Sequence, residues 1–323
     1  MKISLQHLNS VAKSTGFRPE MLEKVIHLLN LLDSFRGHPF LKDRLVLKGG
    51  TALNLFFFDL PRLSVDIDLN YTGAEELETM TAERPRIEEA VHAVCSREGL
   101  SVRRAPEEHA GGKWLLRYES AFGQSGNLQI DINFMYRVPL WPVVSMDSHS
   151  VGPYQARDIR VPDIHELAAG KLAALLYRCQ GRDLFDAHRL LNSGLLDRER
   201  LRTAFVVYGA MNRKDWRIVS PQDILLDPEE LADRLFPMLR GLDMPESVKS
   251  AEWGRRLQEE CLRNLSIILP FSEMELRFLN LLLDEGKIEP GLLTTDTELQ
   301  KRILAQPLLA WKALNVKKHK GVE

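Results

Sequence analysis

Leu47-Lys-Gly-Gly-Thr-Ala-Leu-Asn-Leu-Phe-Phe-Phe-Asp-Leu-Pro-Arg-Leu-Ser-Val-Asp-Ile-Asp-Leu69 sets a glycine-glycine-threonine turn ahead of two aspartates separated by one residue. In an extended strand residues i and i+2 share a face, so Asp66 and Asp68 aim together while Val65, Ile67 and Leu69 aim the opposite way. Such a strand carries a carboxylate pair on one side and a core on the other. Glycine lets a backbone approach a phosphate closely, and a helix after the turn offers its positive N-terminal end to an anion. Gly49 and Gly50 are therefore candidates for a phosphate cradle, with Thr51 adding a hydroxyl. By itself Gly-Gly-Thr makes ordinary turns; it gains meaning from Asp66 and Asp68 downstream.

Outward from this stretch, apolar spacing between Glu20 and Phe35 predicts an amphipathic helix, and Arg44 to Leu47 a short strand. Ala52 to Phe58 reads as a short apolar helix, which Pro61 separates from the strand of the aspartates. Ala82 to Glu98 reads as a helix, followed by strands at Leu100 to Arg104, Trp114 to Ser120 and Leu128 to Phe134, with Gly123-Gln-Ser-Gly126 as a hairpin signal. In the last strand Leu128, Ile130, Ile132 and Phe134 share one face and Gln129, Asp131 and Asn133 the other, which makes Asp131 a third candidate carboxylate. Pro139 to Pro162 is irregular. Beyond it the pattern is helical, near 164–178, 183–192, 229–240, 247–262, 272–284 and 297–314, so a domain boundary is expected near residue 160. The basic run Val316 to Lys320 reads as a solvated tail.

With 323 residues and 44% hydrophobic composition the chain can build two ordinary cores. A net charge of −2 announces no overall nucleic-acid field, so an RNA partner requires a local basic surface, for which Arg103, Arg104, Arg255 and Arg256 are candidates. Cys95, Cys179 and Cys261 have neither disulfide-framework nor zinc spacing, and the first residues hold no apolar signal core; the expectation is a cytoplasmic protein without a membrane span. The Walker and dinucleotide glycine patterns are absent, His165-Glu166 is followed by alanine at 169 where a zincin needs histidine, and no Gly-x-Ser-x-Gly elbow occurs.

Carboxylates on one sheet face suit Mg²⁺, with Mn²⁺ as the other candidate, because such an ion takes oxygen ligands and leaves positions for substrate phosphates. In the second half, Asp163 reads as the N-cap of a helix, with Glu166 as its capping-box partner. Ile164, Ala168, Lys171, Leu175 and Arg178 form one stripe of that helix, whose cations either snorkel to water or face a cleft holding a triphosphate. Gly181 is expected to break the helix. Asp183 and Asp186 open the next, where acids complement the helix N-terminus.

Lys48-Gly49-Gly50-Thr51-Ala52-Leu53 followed by Arg62-Leu63-Ser64-Val65-Asp66-Ile67-Asp68-Leu69 resembles the signature of the AbiEii/AbiGii and MenT group of nucleotidyltransferase toxins. Glu166-x-x-x-x-Lys171 and Arg178-x-x-x-Arg182-Asp183-Leu184-Phe185-Asp186 resemble that group's later motifs. The resemblance implies an α+β fold: a polymerase-beta-like nucleotidyltransferase domain with a small mixed sheet over residues 1–160, then a mostly α-helical domain over 161–323 that completes the cleft and binds the acceptor. It implies that Asp66 and Asp68 hold the metal with Asp131 in support, and that Lys48, Gly49, Gly50, Thr51, Arg178 and Arg182 bind the nucleotide. Lys171 and Asp183, with Asp186 as the alternative acid, would complete the catalytic set. The implied activity is Mg²⁺-dependent transfer of a nucleotide from an NTP to RNA, foremost the tRNA 3′ acceptor end, by a toxin of a bacterial toxin-antitoxin or phage-defence system with an antitoxin encoded nearby. Two other readings stay open: the same site serving a small-molecule or protein acceptor, and a non-catalytic pocket in which nucleotide regulates partner binding.

Overall fold

Ser4 accepts a hydrogen bond from the His7 amide and starts α1 (Leu5–Thr15), and Pro19, at a position where its missing N–H costs nothing, starts α2 (Pro19–Gly37). The computed structural model that places them describes residues 3–104, 111–244 and 250–320. By contact the chain forms two compact units: Met1–Arg137, Val143–Pro162 and Phe236–Met244 in one, and Val138–Pro142, Asp163–Leu235 and Pro245–Glu323 in the other. The chain thus exchanges two short segments in addition to its main passage between Pro162 and Asp163.

The first unit continues with β1 (Leu45–Lys48), α3 (Gly49–Ala52), a π-helical turn at Leu53–Phe57, β2 (Asp66–Tyr71), α4 (Leu77–Arg97), β3 (Ser101–Arg104), β4 (Gly111–Glu119), β5 (Ser125–Asn133), β6 (Val144–Met146) and β7 (Ile159–Val161). Five strands make a mixed sheet in the order β1-β2-β5-β4-β3, with β2 and β5 parallel and the other neighbours antiparallel. Alternation decides its faces: Ile67, Leu69, Tyr71, Trp114, Leu116, Leu128, Ile130 and Ile132 are buried, and α2 and α4 pack against the sheet at β5 and β3. Between β4 and β5 the chain turns at Gly123, whose φ of 76° is left-handed, and the Ser120 amide donates to the Gln124 carbonyl. β6 and β7 pair separately.

The second unit is helical: α5 (Ile164–Arg178), α6 (Gly181–Leu191), α7 (Arg198–Ala210), the single turn α8 (Pro228–Glu230), α9 (Ser250–Asn264), α10 (Glu273–Glu285), α11 (Thr297–Leu304) and α12 (Pro307–Lys320). α5 packs on α6 and α7, and its alanines at 168, 169 and 173 are buried, which lets the helices approach closely. No helix of the described residues is long and apolar enough to cross a membrane.

Several local expectations are corrected. Residues near 229–240 form α8, a π-turn at Leu231–Leu235 and a tight turn at Phe236–Met238 instead of one helix, because Pro237 has no N–H to donate and crowds the turn before it. The helix expected over 297–314 is two, since Pro307 opens α12. After α5 the break comes at Cys179, which takes φ 51°, while Gly181 already belongs to α6. Gly181 is required for another reason: a Cβ there would lie 2.5 Å from both Glu230 Oε2 and Leu231 Cδ2. Asp163 does cap α5 by accepting from the His165 amide, but Glu166 forms no capping box with it. Finally, Val316 to Lys320 continues α12 as helix.

Candidate active site

Strand register lines up a row of charged residues across the first unit's sheet. Lys48 of β1 lies opposite Asp68 of β2, Asp68 opposite Asp131 of β5, and Asp131 opposite Lys113 of β4. Directly opposed residues share a face, so the row reads plus, minus, minus, plus over strands about 4.8 Å apart. Asp66, two residues before Asp68, lies on the same face opposite Gln129, and Asn70 opposite Asn133. The reverse face is the core. Lys113 Nζ is 3.9 Å from Asp131 Oδ2, and Lys48 Nζ lies 5.5 Å from the centre of the Tyr136 ring. The Lys113 ammonium offsets part of the repulsion between the two adjacent carboxylates.

The turn before β2 is fitted to Asp68. Gly49 has φ +73°, and a Cβ on it would stand 2.5 Å from Asp68 Oδ2. Backbone and carboxylate can approach this closely only without a side chain at 49. Thr51 is fully buried at 0% exposure, and its Oγ1 lies 2.5 Å from the Asp66 carbonyl oxygen and 3.0 Å from Ser64 Oγ. A carbonyl can only accept, so the Thr51 proton goes to Asp66 and the Ser64 hydroxyl donates to Thr51. In this structure the Thr51 hydroxyl ties the turn to the start of the acid-bearing strand. Asn54 Nδ2 donates to the Gly50 carbonyl at 2.9 Å and holds the next turn.

In the helical unit Lys171 Nζ is 2.8 Å from Asp183 Oδ1 and 3.0 Å from Asp186 Oδ2. Arg178 Nε reaches Asp183 Oδ2 at 2.7 Å. Asp183 and Asp186 are 1% and 0% exposed, so Lys171 does not snorkel to water; it is fixed between two buried carboxylates. Burial pushes the Asp183 carboxyl up, but the charges of Lys171 and Arg178 outweigh it and hold Asp183 below the usual carboxylate range. Both candidate acids therefore serve Lys171, and Asp183 also reaches Arg178. Arg182 is half-buried on α6. Glu166 is buried elsewhere, accepting from the Leu140 and Trp141 amides and from the Tyr208 hydroxyl.

Whether the strand face suits a divalent cation can be judged from its donors. Asp66 and Asp68 provide hard carboxylate oxygens beside a cradle that a Cβ would fill, and the buried Asn70 Oδ1 on the same face has no hydrogen-bond partner. Among the described residues no three His, Cys, Asp or Glu converge on a preformed metal site. An ion here would combine these carboxylates with ligands from phosphates and water, which is the habit of Mg²⁺. The face fits.

Residues 30–259 match the family described as "Nucleotidyl transferase AbiEii toxin, Type IV TA system". The chain belongs to the AbiEii nucleotidyltransferase toxin family. It is accordingly a nucleotidyltransferase, and the AbiEii family's type IV toxin-antitoxin assignment implies an antitoxin partner. NTP as substrate and a divalent metal are general to such enzymes. The fold agrees with that of MenT4, a nucleotidyltransferase toxin from Mycobacterium tuberculosis H37Rv, at a TM-score of 0.63 and 16% identity, over 94% of this chain and 98% of that one. No curated protein matches the sequence.

Three neighbours of the candidate site are not singled out by the sequence: Lys113, Ser64 and Asn70. Asn70 carried a usable signal, since it continues the i, i+2 series of Asp66 and Asp68. The other two become visible only through strand register and the return of the chain to Thr51.

Proposed function

We propose that the chain transfers a nucleoside monophosphate from an NTP to RNA, foremost the tRNA 3′ acceptor end, using Mg²⁺ held by Asp66 and Asp68. The observation that supports this most is the row Lys48, Asp68, Asp131, Lys113 on one sheet face, with Gly49 in contact distance of Asp68. An acceptor oxygen forms a bond to the α-phosphorus, the bond to the bridging β-phosphate oxygen breaks, and pyrophosphate leaves. When bound, the ion would neutralise phosphate charge and lower the pKa of the attacking hydroxyl. Asp66 and Asp68 hold it, Asp131 supports them, and Gly49, Gly50 and Lys48 receive the nucleotide. Thr51 keeps the turn and strand in register. In the helical unit the proposal assigns Lys171, Arg178 and Arg182 to phosphate charge, with Asp183 fixing Lys171 and Arg178, and gives that unit the acceptor.

Incubating the protein with total RNA and each labelled NTP tests the reading. Wild type should label RNA, a chelator should abolish labelling, and Asp66→Ala should reduce it by roughly 10²–10³-fold, the scale of removing one electrostatic interaction from a transition state. RNA labelling by Asp66→Ala equal to wild type would sink the proposal, and label confined to protein or small molecules would move the acceptor.

A further inference from the structure

α12 carries a surface that the transfer chemistry does not use. Leu309 and Ala313 are buried on one side of it. On the opposite side, spaced at i, i+3 and i+7 and so on one helical face, stand Trp311, Leu314 and Lys318. Trp311 is 59% exposed and Leu314 51%, unusual for the side chain with the largest apolar area to hide. Lys317, Lys318 and His319 follow, exposed, on the last turns of the helix.

The charge that α12 itself carries has one sign. From Ala305 to Val322 the sequence contains no aspartate or glutamate, in a chain whose net charge is −2. Lys312 is spoken for, since its Nζ donates to the carbonyls of Ala210 and Asn212 at the end of α7. Among the described residues neither Lys317 nor Lys318 has an ion-pair partner within 4.0 Å. Cations at a helix C-terminus complement its dipole, but the dipole gives no reason for an exposed tryptophan two turns earlier. An aromatic plane followed along one face by an unpaired cation, Lys318, is a combination that binds single-stranded nucleic acid: the ring stacks a base and the ammonium group meets a phosphate. Lys318 stands about 10 Å along the axis from Trp311, so both can meet one strand.

We propose that the exposed face of α12 formed by Trp311, Leu314 and Lys318 is a docking surface for single-stranded RNA. It deepens the reading that the acceptor is RNA, and rests on it. The positive charge of α12 favours RNA over a protein partner, whose docking would need the apolar residues but not a helix free of carboxylates.

Fluorescence anisotropy with a labelled single-stranded oligoribonucleotide, measured without NTP on the full chain, tests this directly. Trp311→Ala should weaken binding roughly 5- to 150-fold, the range found for removing one stacked base, and Trp311→Phe should restore most of it. Lys318→Glu should weaken binding and flatten the salt dependence by about 0.7 in slope, the share of one phosphate no longer neutralised. Absence of wild-type binding, or variants that bind with wild-type affinity and salt slope, overturns the inference. So does a Trp311→Ala variant whose only change is a smaller mass in solution, which would make a second copy the occupant. Failure here is distinguishable from failure of the transfer reading: RNA labelling lost in Asp66→Ala with binding untouched by Trp311→Ala removes this surface and leaves the enzyme, whereas Trp311-dependent binding without any RNA labelling does the reverse.

Discussion

One backbone torsion decides whether Asp68 can sit where it does. At Gly49 an alanine would meet a left-handed φ costing roughly 1–2 kcal/mol, and its Cβ would lie 2.5 Å from Asp68 Oδ2. Since the carboxylate end is the more mobile partner, Asp68 should give way before the fold does. Gly49→Ala is therefore expected to lower the thermal midpoint only modestly while reducing nucleotidyl transfer well over tenfold; a variant that keeps full activity at a lowered midpoint would show the close approach to be dispensable. At this scale the sequence was readable in part. Strand parity placed Asp66, Asp68 and Asp131 on one face, because side-chain direction alternates whatever the fold. It did not reveal that Asp131 lies directly opposite Asp68, since β5 is separated from β2 by α4, β3 and β4. Lys113 looks like any exposed strand lysine until β4 is known to pair with β5. The burial of Thr51 was not legible because burial is a property of what returns against a residue, and Ser64 returns thirteen positions later.

Among the elements, α5 was legible to the residue, Ile164 to Arg178, because its apolar period, its Asp163 cap and its length agree. What Glu166 does there was not. Its carboxylate accepts from the amides of Leu140 at 3.0 Å and Trp141 at 3.2 Å, and from the Tyr208 hydroxyl at 2.9 Å, so one buried side chain fastens residues 138–142 to α5 and α7. A capping box is a local signal, and this longer-range set of donors outbid it. Proline positions explain the other misses, at Pro237 and Pro307, where apolar spacing continued through residues that cannot continue a helix. Glu166→Gln keeps the shape but turns an NH₂ group toward donors, and should cost about 1–3 kcal/mol, more than Tyr208→Phe, which removes a single donor at about 1 kcal/mol. Urea denaturation of the two variants orders them, and a Glu166→Gln protein as stable as wild type would contradict the role given to this carboxylate.

At the scale of the whole molecule the two units carry buried titrating groups of opposite sign. Burial pushes Glu166 in the helical unit up from 4.5 to about 7. Between those values folded Glu166 keeps a proton that the unfolded chain has released, so its contribution is complete at acid pH and is lost as pH rises to about 7. Burial lowers His27 in the sheet unit from 6.5 to about 4, so the unfolded chain binds the proton that folded His27 refuses, and stability there rises with pH over that span. His38, lowered by burial and by Arg97 and Arg86, adds to the sheet unit with the same sign, whereas Glu83, lowered by its bonds to Arg44, acts only below 4.5. Asp163 and Asp183 in the helical unit lie below their usual value of 3.8, so their loss comes at lower pH and leaves the window to Glu166. Each of the two main effects is on the order of 3 kcal/mol at its limit, and they nearly cancel for the chain as a whole. Global stability should thus change little between about pH 5 and 7, while local stability diverges. Native-state hydrogen exchange, corrected for the intrinsic rate, reads the units separately. Protection of α2 peptides should rise with pH and that of α5 peptides should fall; His27→Gln should flatten the first trend and Glu166→Gln the second. Protection of α2 and α5 moving in the same direction would refute this account.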